Sequence, residues 1–190
     1  VLQDGSLSAT YPICSGVPQG SILGPFLYTL YIADMPLHPP THSEIDVATY
    51  ADDTTFITSH QDPNIVSDSL QAMLNVFQEW CTYWRIQLNE LKSIHITFTL
   101  KKGFTPPLQL NGNIIPFKQV VKYLGLHIDS KLTWKHHLVM KRKQLDLLLH
   151  KYSWLLGKSS KLSLPSKLLI YKTIIRPIWM YGSQLWGTTA

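Results

Sequence analysis

Residues 62–84 carry a pattern that only one local structure satisfies. Val66, Leu70, Met73, Leu74, Phe77, Trp80, Cys81 and Trp84 recur at steps of three, four and one, which lays an apolar stripe along one side of a helix. Asp62 stands where a carboxylate caps free amides, and Pro63 stands at the first helical position, where its missing N–H is no loss. A stripe that wide must be covered, and the neighbouring segments have strand composition. Residues 44–50 and 54–58 flank Ala51-Asp52-Asp53, which predicts a hairpin with the aspartates at its tip. Downstream, Ile94, Ile96, Phe98 and Leu100 alternate as a strand, Asn111-Gly112 marks a hairpin turn, and 120–128 reads as another strand. The pattern is α+β.

The ends of the chain differ from this middle. Asp4-Gly5, between Val1-Leu2 and the alternating Leu7, Ala9, Tyr11 and Ile13, predicts a further hairpin in which Asp4 is a turn residue. Residues 22–33 are apolar on nearly every side, which predicts a helix buried on most faces, ended by the proline-rich loop 35–40. Beyond Ser130 the strand signals stop. One helix is predicted over 133–156, stopping at Gly157, and a second from Leu164-Pro165 toward Tyr181, kinked or ended by Pro177. The one boundary this suggests divides 1–130 from 131–190.

With 190 residues, 45% of them apolar, the chain can fill a core. It has no run of eighteen apolar residues and no leader pattern at its start, so it reads as soluble and unsecreted. Cys14 and Cys81 are too few and too widely spaced for a disulfide framework or a zinc site, and read as reduced, packed thiols. The net charge of +5 hides an asymmetry: 1–100 hold two basic and ten acidic residues, whereas 101–190 hold fifteen basic and two acidic. The basic half suits a polyanion. Its lysines are interleaved with Trp134, Tyr152, Trp154, Tyr171 and Trp179, which leaves nucleic acid and anionic membrane both open.

Adjacent carboxylates at a hairpin tip repel one another unless water or a cation separates them, so Asp52 and Asp53 could offer hard oxygen ligands to magnesium. Alone, the pair is most simply a solvated polar turn. Its neighbours change that. Gly16-Val17-Pro18-Gln19-Gly20-Ser21-Ile22-Leu23-Gly24-Pro25, then Tyr50-Ala51-Asp52-Asp53, then Leu88-Asn89-Glu90-Leu91-Lys92-Ser93, then Lys122-Tyr123-Leu124-Gly125 resemble, in order, polymerase motifs B, C, D and E of reverse transcriptases. The first block and the ending from Tyr171 to Gly182, close to Leu185-Trp186-Gly187, look most like jockey-type insect non-LTR retrotransposons.

The resemblance implies a polymerase palm over 1–130 followed by a helical thumb over 131–190. It implies RNA-directed DNA synthesis: attack of a DNA primer 3′-hydroxyl on the α-phosphate of a deoxynucleoside triphosphate, templated by RNA, at two Mg2+ ions about 4 Å apart. By similarity Asp52 and Asp53 are catalytic metal ligands, Asp52 the stronger candidate. Tyr50 would lie beneath the nucleotide or primer end, and Gly16, Pro18, Gln19, Gly20 and Ser21 would form the nucleotide and template pocket. Lys92 would protonate pyrophosphate, while Asn89 fixes its local turn. Tyr123, Leu124 and Gly125 would form the primer grip, and Lys135, Lys141, Arg142 and Lys143 would contact nucleic-acid phosphates. His136 and His137 read as a solvated face and Asp129 as a cap or turn residue.

The family's motif A contributes an upstream metal-binding aspartate that Asp4 does not replace, and the fingers are missing too. The expectation is therefore a piece of a mobile-element polymerase, inactive by itself, whose partners include the missing N-terminal region of the same polyprotein. Its setting would be intracellular, in the nucleus at the site of integration, with no membrane partner. The alternative is a relic that binds nucleic acid without chemistry. An RNA-dependent RNA polymerase is disfavoured by the Tyr-Ala-Asp-Asp turn and the jockey-like ending.

Overall fold

The computed structural model describes residues 2–3, 6–7, 16–18, 20–37, 45–101, 103 and 105–187. Strands β1 (Leu2–Gln3) and β2 (Ser6–Leu7) pair antiparallel, as the first predicted hairpin requires, while Asp4, Gly5 and Cys14 lie outside the described residues. Helix α1 spans Leu23–Tyr31. Strands β3 (Asp46–Tyr50) and β4 (Asp53–Ile57) form the second hairpin, followed by helix α2 (Pro63–Tyr83). Two further hairpins follow, β5 (Gln109–Leu110) with β6 (Asn113–Ile114) and β7 (Val120–Tyr123) with β8 (Leu126–Asp129). The remainder is helical: α3 (Lys135–Lys151), α4 (Ser153–Leu156), α5 (Leu164–Ile170), a π-helical segment (Tyr171–Ile175), α6 (Arg176–Met180) and α7 (Ser183–Trp186).

The α+β class is as expected. The strands, however, form four separate two-stranded ladders among the described residues.

Helix α2 organises the core. The Asp62 carboxylate accepts from the Asn64 amide at 2.9 Å, capping the helix behind Pro63. The predicted stripe turns inward: Met73, Leu74, Phe77 and Cys81 are buried, the first three each contributing roughly 1.5–3 kcal/mol if fully removed from water. Leu74 packs with Leu108, Leu110 and Ile115, and Phe77 and Cys81 pack with Met35 and, on the sheet side, Val47 and Phe56. Burial pushes the Cys81 thiol up to about 11, leaving it a neutral packing group. Polar contacts add register. Gln71 accepts from the Gln109 amide at 2.8 Å and donates to its carbonyl at 3.0 Å, filling a strand partner's place beside β5.

Several sequence expectations need correction. Helix α1 is not buried: none of its residues is, and Leu23, Phe26 and Leu30 are each more than half exposed. Apolar content reports a need for cover, but not which part of the chain supplies it. The segment 94–100 is not a regular strand. It makes one parallel bridge, His95 to Phe117, and the residue it buries is His95, on the face opposite the isoleucines. The single strand expected over 120–128 is two, folded at Leu124-Gly125, whose φ angles of +45° and +79° match those of Asn111-Gly112, +50° and +78°. The helix expected over 133–156 breaks at Tyr152. At Pro177, where a kink or an end was expected, the second helix is locally distorted and does not end, which the first of those alternatives allows. The backbone widens to π geometry just ahead of it, with the Arg176 amide donating to the Tyr171 carbonyl, and helix continues to Met180.

Candidate active site

The β3–β4 register pairs Tyr50 with Asp53, which leaves Ala51 and Asp52 as the two-residue turn. Directly opposed residues share a face, so Tyr50 and Asp53 project together, away from the face that Val47 and Phe56 press onto the core. All of Tyr50, Asp52 and Asp53 are exposed. Ala51 has a φ of +50°, the left-handed conformation that a residue with a Cβ adopts only when held there. Something does hold it: the Tyr28 hydroxyl, from α1, donates to the Ala51 carbonyl. Burial pushes the Tyr28 phenol up and the Asp52 charge adds to that, which places the ring beside the turn's carboxylate.

Among the described residues neither the Asp52 nor the Asp53 carboxylate accepts a hydrogen bond or forms an ion pair, and no third His, Cys, Asp or Glu completes a metal cluster with them. Two adjacent, uncommitted, exposed carboxylates fit a hard divalent cation that keeps part of its water shell.

The first motif block lies at the start of α1. Gly16 and Gly20 have φ of +83° and +86°, a left-handed backbone open to glycine at little cost. The Ser21 amide donates to the Pro18 carbonyl at 3.1 Å, and the Ser21 hydroxyl accepts from the Gly24 amide at 3.1 Å. One of the helix's free amides is therefore already satisfied within the chain. Gln19 lies outside the described residues.

Lys92 is exposed in a turn built by Asn89, whose side chain accepts from the Lys92 amide at 3.1 Å and whose carbonyl accepts from the Ser93 hydroxyl. Asn89 thus fixes its local turn, as expected. Next to it Glu90 accepts from both Asn111 and Asn113, at 2.6 and 3.0 Å, bracing the β5–β6 hairpin. No hydrogen bond or ion pair among the described residues joins Lys92, or the Tyr123–Gly125 turn, to the aspartates.

The Tyr123-Leu124-Gly125 turn contacts the C-terminal helices instead. The Tyr181 hydroxyl donates to the Leu124 carbonyl at 2.6 Å, and a Cβ at Gly125 would come within 3.2 Å of the Tyr181 ring. Lys141 lies over the same ring, its amine 5.1 Å from the ring centre. Lys135, Arg142 and Lys143 are exposed, turned roughly 100–160° around the helix from Lys141 and His137. Asp129 is a turn residue, one of the two roles expected of it: it gathers the loop ahead of α3, accepting from the amides of Lys131, Thr133 and Trp134 and from the Thr133 hydroxyl, while no side chain caps the helix itself.

His137 corrects the solvated-face expectation: it is 1% exposed, while its neighbour His136 stays in solvent. Its Nδ1 accepts from the His127 amide at 3.2 Å, and Trp134 and Trp186 flank its ring. Tyr28 and Tyr31 were not singled out by the sequence, and Glu90 and Tyr181 only as members of longer blocks. The available signal was two tyrosines three apart in a mostly apolar helix, since phenol hydroxyls on one helix face seek partners.

The pattern of the family described as reverse transcriptase (RNA-dependent DNA polymerase) matches residues 2–128. Over 192 residues the chain is 40% identical to the RNA-directed DNA polymerase from mobile element jockey of Drosophila melanogaster, covering 98% of this chain and 21% of that protein. It is 39% identical over 183 residues to the probable RNA-directed DNA polymerase from transposon X-element of the same species, covering 96% of this chain and 20% of the relative. The probable RNA-directed DNA polymerase from transposon BS, also from that species, is 36% identical over 182 residues, covering 93% of this chain and 20% of its own. The chain thus spans about a fifth of the length of these relatives. No solved structure matches it. The chain belongs to the reverse transcriptase (RNA-dependent DNA polymerase) family.

Proposed function

We propose that this chain is the palm and thumb segment of a non-LTR retrotransposon's RNA-directed DNA polymerase, and that its Asp52-Asp53 turn is part of the metal site for nucleotidyl transfer. The observation that carries the reading is the turn itself: two exposed carboxylates without protein partners among the described residues, on a hairpin whose left-handed tip is tethered to the motif B helix. Divalent magnesium bound there would lower the pKa of the primer hydroxyl and stabilise the oxygens of the leaving pyrophosphate. Asp52 and Asp53 hold it, with a further carboxylate from another part of the longer polypeptide.

Tyr50 shares a face with Asp53 and supports the base or sugar of the incoming nucleotide or primer end. The Gly16, Pro18, Gln19, Gly20 and Ser21 block lines the nucleotide and template side. The Lys92 ammonium, free in solvent, supplies a proton to pyrophosphate. The Tyr123-Leu124-Gly125 turn orients the primer, and Lys135, Arg142 and Lys143 meet the phosphate backbone from the outer side of α3, with Lys141 adding positive potential from beside Tyr181. The 190 residues alone do not extend a primer. A longer polypeptide of the element that includes these residues should extend a DNA primer on RNA with Mg2+, and Asp52→Asn should reduce the rate by roughly 10²- to 10³-fold, the range for loss of one group that stabilises transition-state charge. Unchanged extension in that variant would reject the assignment.

A second reading rests on the excess of fifteen basic over two acidic residues in 101–190: the segment binds nucleic acid without chemistry. Binding that survives while the longer polypeptide shows no extension would select it.

A further inference from the structure

We infer that Tyr28 is a positioning residue for the aspartate turn, and that it acts by holding Ala51 in its left-handed conformation. The inference rests on the metal-site reading of Asp52 and Asp53 and deepens it.

Helix α1 has no buried residue, so packing alone does not explain its place beside the hairpin. Two hydroxyls on one of its faces do more. Tyr28 donates to the Ala51 carbonyl and Tyr31, one turn later, donates to the Trp84 carbonyl at the end of α2. The Tyr31 ring also meets Trp84 edge-on at 5.1 Å. Asp34, just past the helix, accepts from the indole N–H of both Trp80 and Trp84, at 3.1 and 3.0 Å. The C-terminal half of α1 is thereby fixed to α2, and Tyr28 reaches the turn from a fixed base.

What it reaches is the one peptide whose orientation aims the carboxylates. In a two-residue turn closed by the Tyr50–Asp53 pair, the dihedral angles of Ala51 set where the Asp52 Cα–Cβ bond points. Glycine would occupy +50° without strain; alanine does so against a steric preference for negative φ. A donor fixed on the Ala51 carbonyl offsets that preference. Removing the donor frees the turn to relax, and the Asp52 side chain then changes its direction relative to Asp53. The residue acts through the backbone and does not touch the metal or substrate.

The test uses the 190-residue chain, wild type, Tyr28→Phe, Ala51→Gly and the double variant, with circular dichroism confirming that each is folded. The first readout is the Ala51 backbone, from its three-bond HN–Hα coupling and carbonyl shift by NMR; in the glycine variants, the carbonyl shift and the amides of residues 50–53 serve. The second is broadening of the Asp52 and Asp53 amide signals by Mn2+. Tyr28→Phe should move the Ala51 signals toward negative-φ values and weaken Mn2+ binding at the turn by roughly 2- to 10-fold, the range that one hydrogen bond spans. Adding Ala51→Gly should restore binding to about the wild-type level, because glycine needs no tether.

Unchanged Ala51 signals in Tyr28→Phe would overturn the inference, and so would failure of glycine to rescue. Should Mn2+ leave Asp52 and Asp53 sharp in the wild type, the metal reading fails, while the Ala51 signals still decide the role of Tyr28.

Discussion

Asp129→Ala should destabilise the junction between the β7–β8 hairpin and α3 by about 2 kcal/mol, more than an ordinary loop substitution. One oxygen of this carboxylate accepts from the amides of Lys131 and Thr133, each at 3.1 Å, and the other from the Thr133 hydroxyl at 3.1 Å and the Trp134 amide at 2.9 Å. The loop it gathers contains two strained residues, Leu132 at φ +54° and Trp134 at +58°. A hydrogen bond to a charged group is worth roughly 1.5–3 kcal/mol; four of them on a partly exposed carboxylate, set against a loop that prefers other dihedrals, place the loss at about 2 kcal/mol. Asparagine keeps one acceptor oxygen, so Asp129→Asn should cost about half as much.

Burial raises the Asp129 carboxyl, but the hydrogen bonds from Thr133, Lys131 and Trp134 outweigh it and hold the group below its ordinary 3.8. A depressed folded pKa means the contribution is complete above that value and is lost as pH falls through the lower, folded one. The difference between wild type and Asp129→Ala should therefore be constant near neutrality and shrink below about pH 4. Hydrogen exchange at the Thr133 and Trp134 amides measures it directly, since 2 kcal/mol corresponds to about 30-fold faster exchange. An alanine variant within about threefold of wild type, or an asparagine variant as damaging as alanine, would refute the reasoning.

Two other predictions concern the C-terminal half. Replacing Lys135, Arg142 and Lys143 together by glutamine should lower the slope of log affinity against log salt by about 2–3 for duplex nucleic acid, measured by fluorescence anisotropy; an unchanged slope removes these residues from the phosphate path. His137 is held below its ordinary 6.5 by burial first, then by Lys141 and His127. Stability that depends on its neutral form is present above pH 6.5 and lost as pH falls through the depressed value. The Tm should thus drop by a few degrees on acidification, and less in His137→Phe. His95 and His127, lowered mainly by burial, share that direction, so the variant's slope is reduced without vanishing.

What was legible in the sequence was what local physics decides. The α2 stripe, the Asp62-Pro63 start and the Asn111-Gly112 turn all have short-range causes, and each stands where it was expected. So does the hairpin around the aspartates, although Asp53 belongs to its strand and only Asp52 to the turn. The Leu124-Gly125 fold was harder to see because leucine gives no turn signal; the distant Tyr181 helps to fix it. His137 was misread for a related reason. The inward side of α3 carries His137 and Lys141, while Leu138, Val139 and Leu147 stand out in solvent, so apolar periodicity gives little guide to its orientation. The spacing of Tyr28 and Tyr31 hinted at a role, but the partner of Tyr28 was not legible because it is a carbonyl, which every residue has.

The π-helical segment at Tyr171–Ile175 works as a phase shifter. Each residue of an α-helix turns the chain by 100°, and a π turn accommodates one residue more than the helix around it needs. The chain after Pro177 is therefore clocked one notch from the direction α5 would have given it, and on that notch Tyr181 meets the Leu124 carbonyl. Insertions and deletions in this stretch are consequently read as rotations. A single residue lost between 171 and 175 can leave every side chain's chemistry intact and still point the tyrosine away from the hairpin.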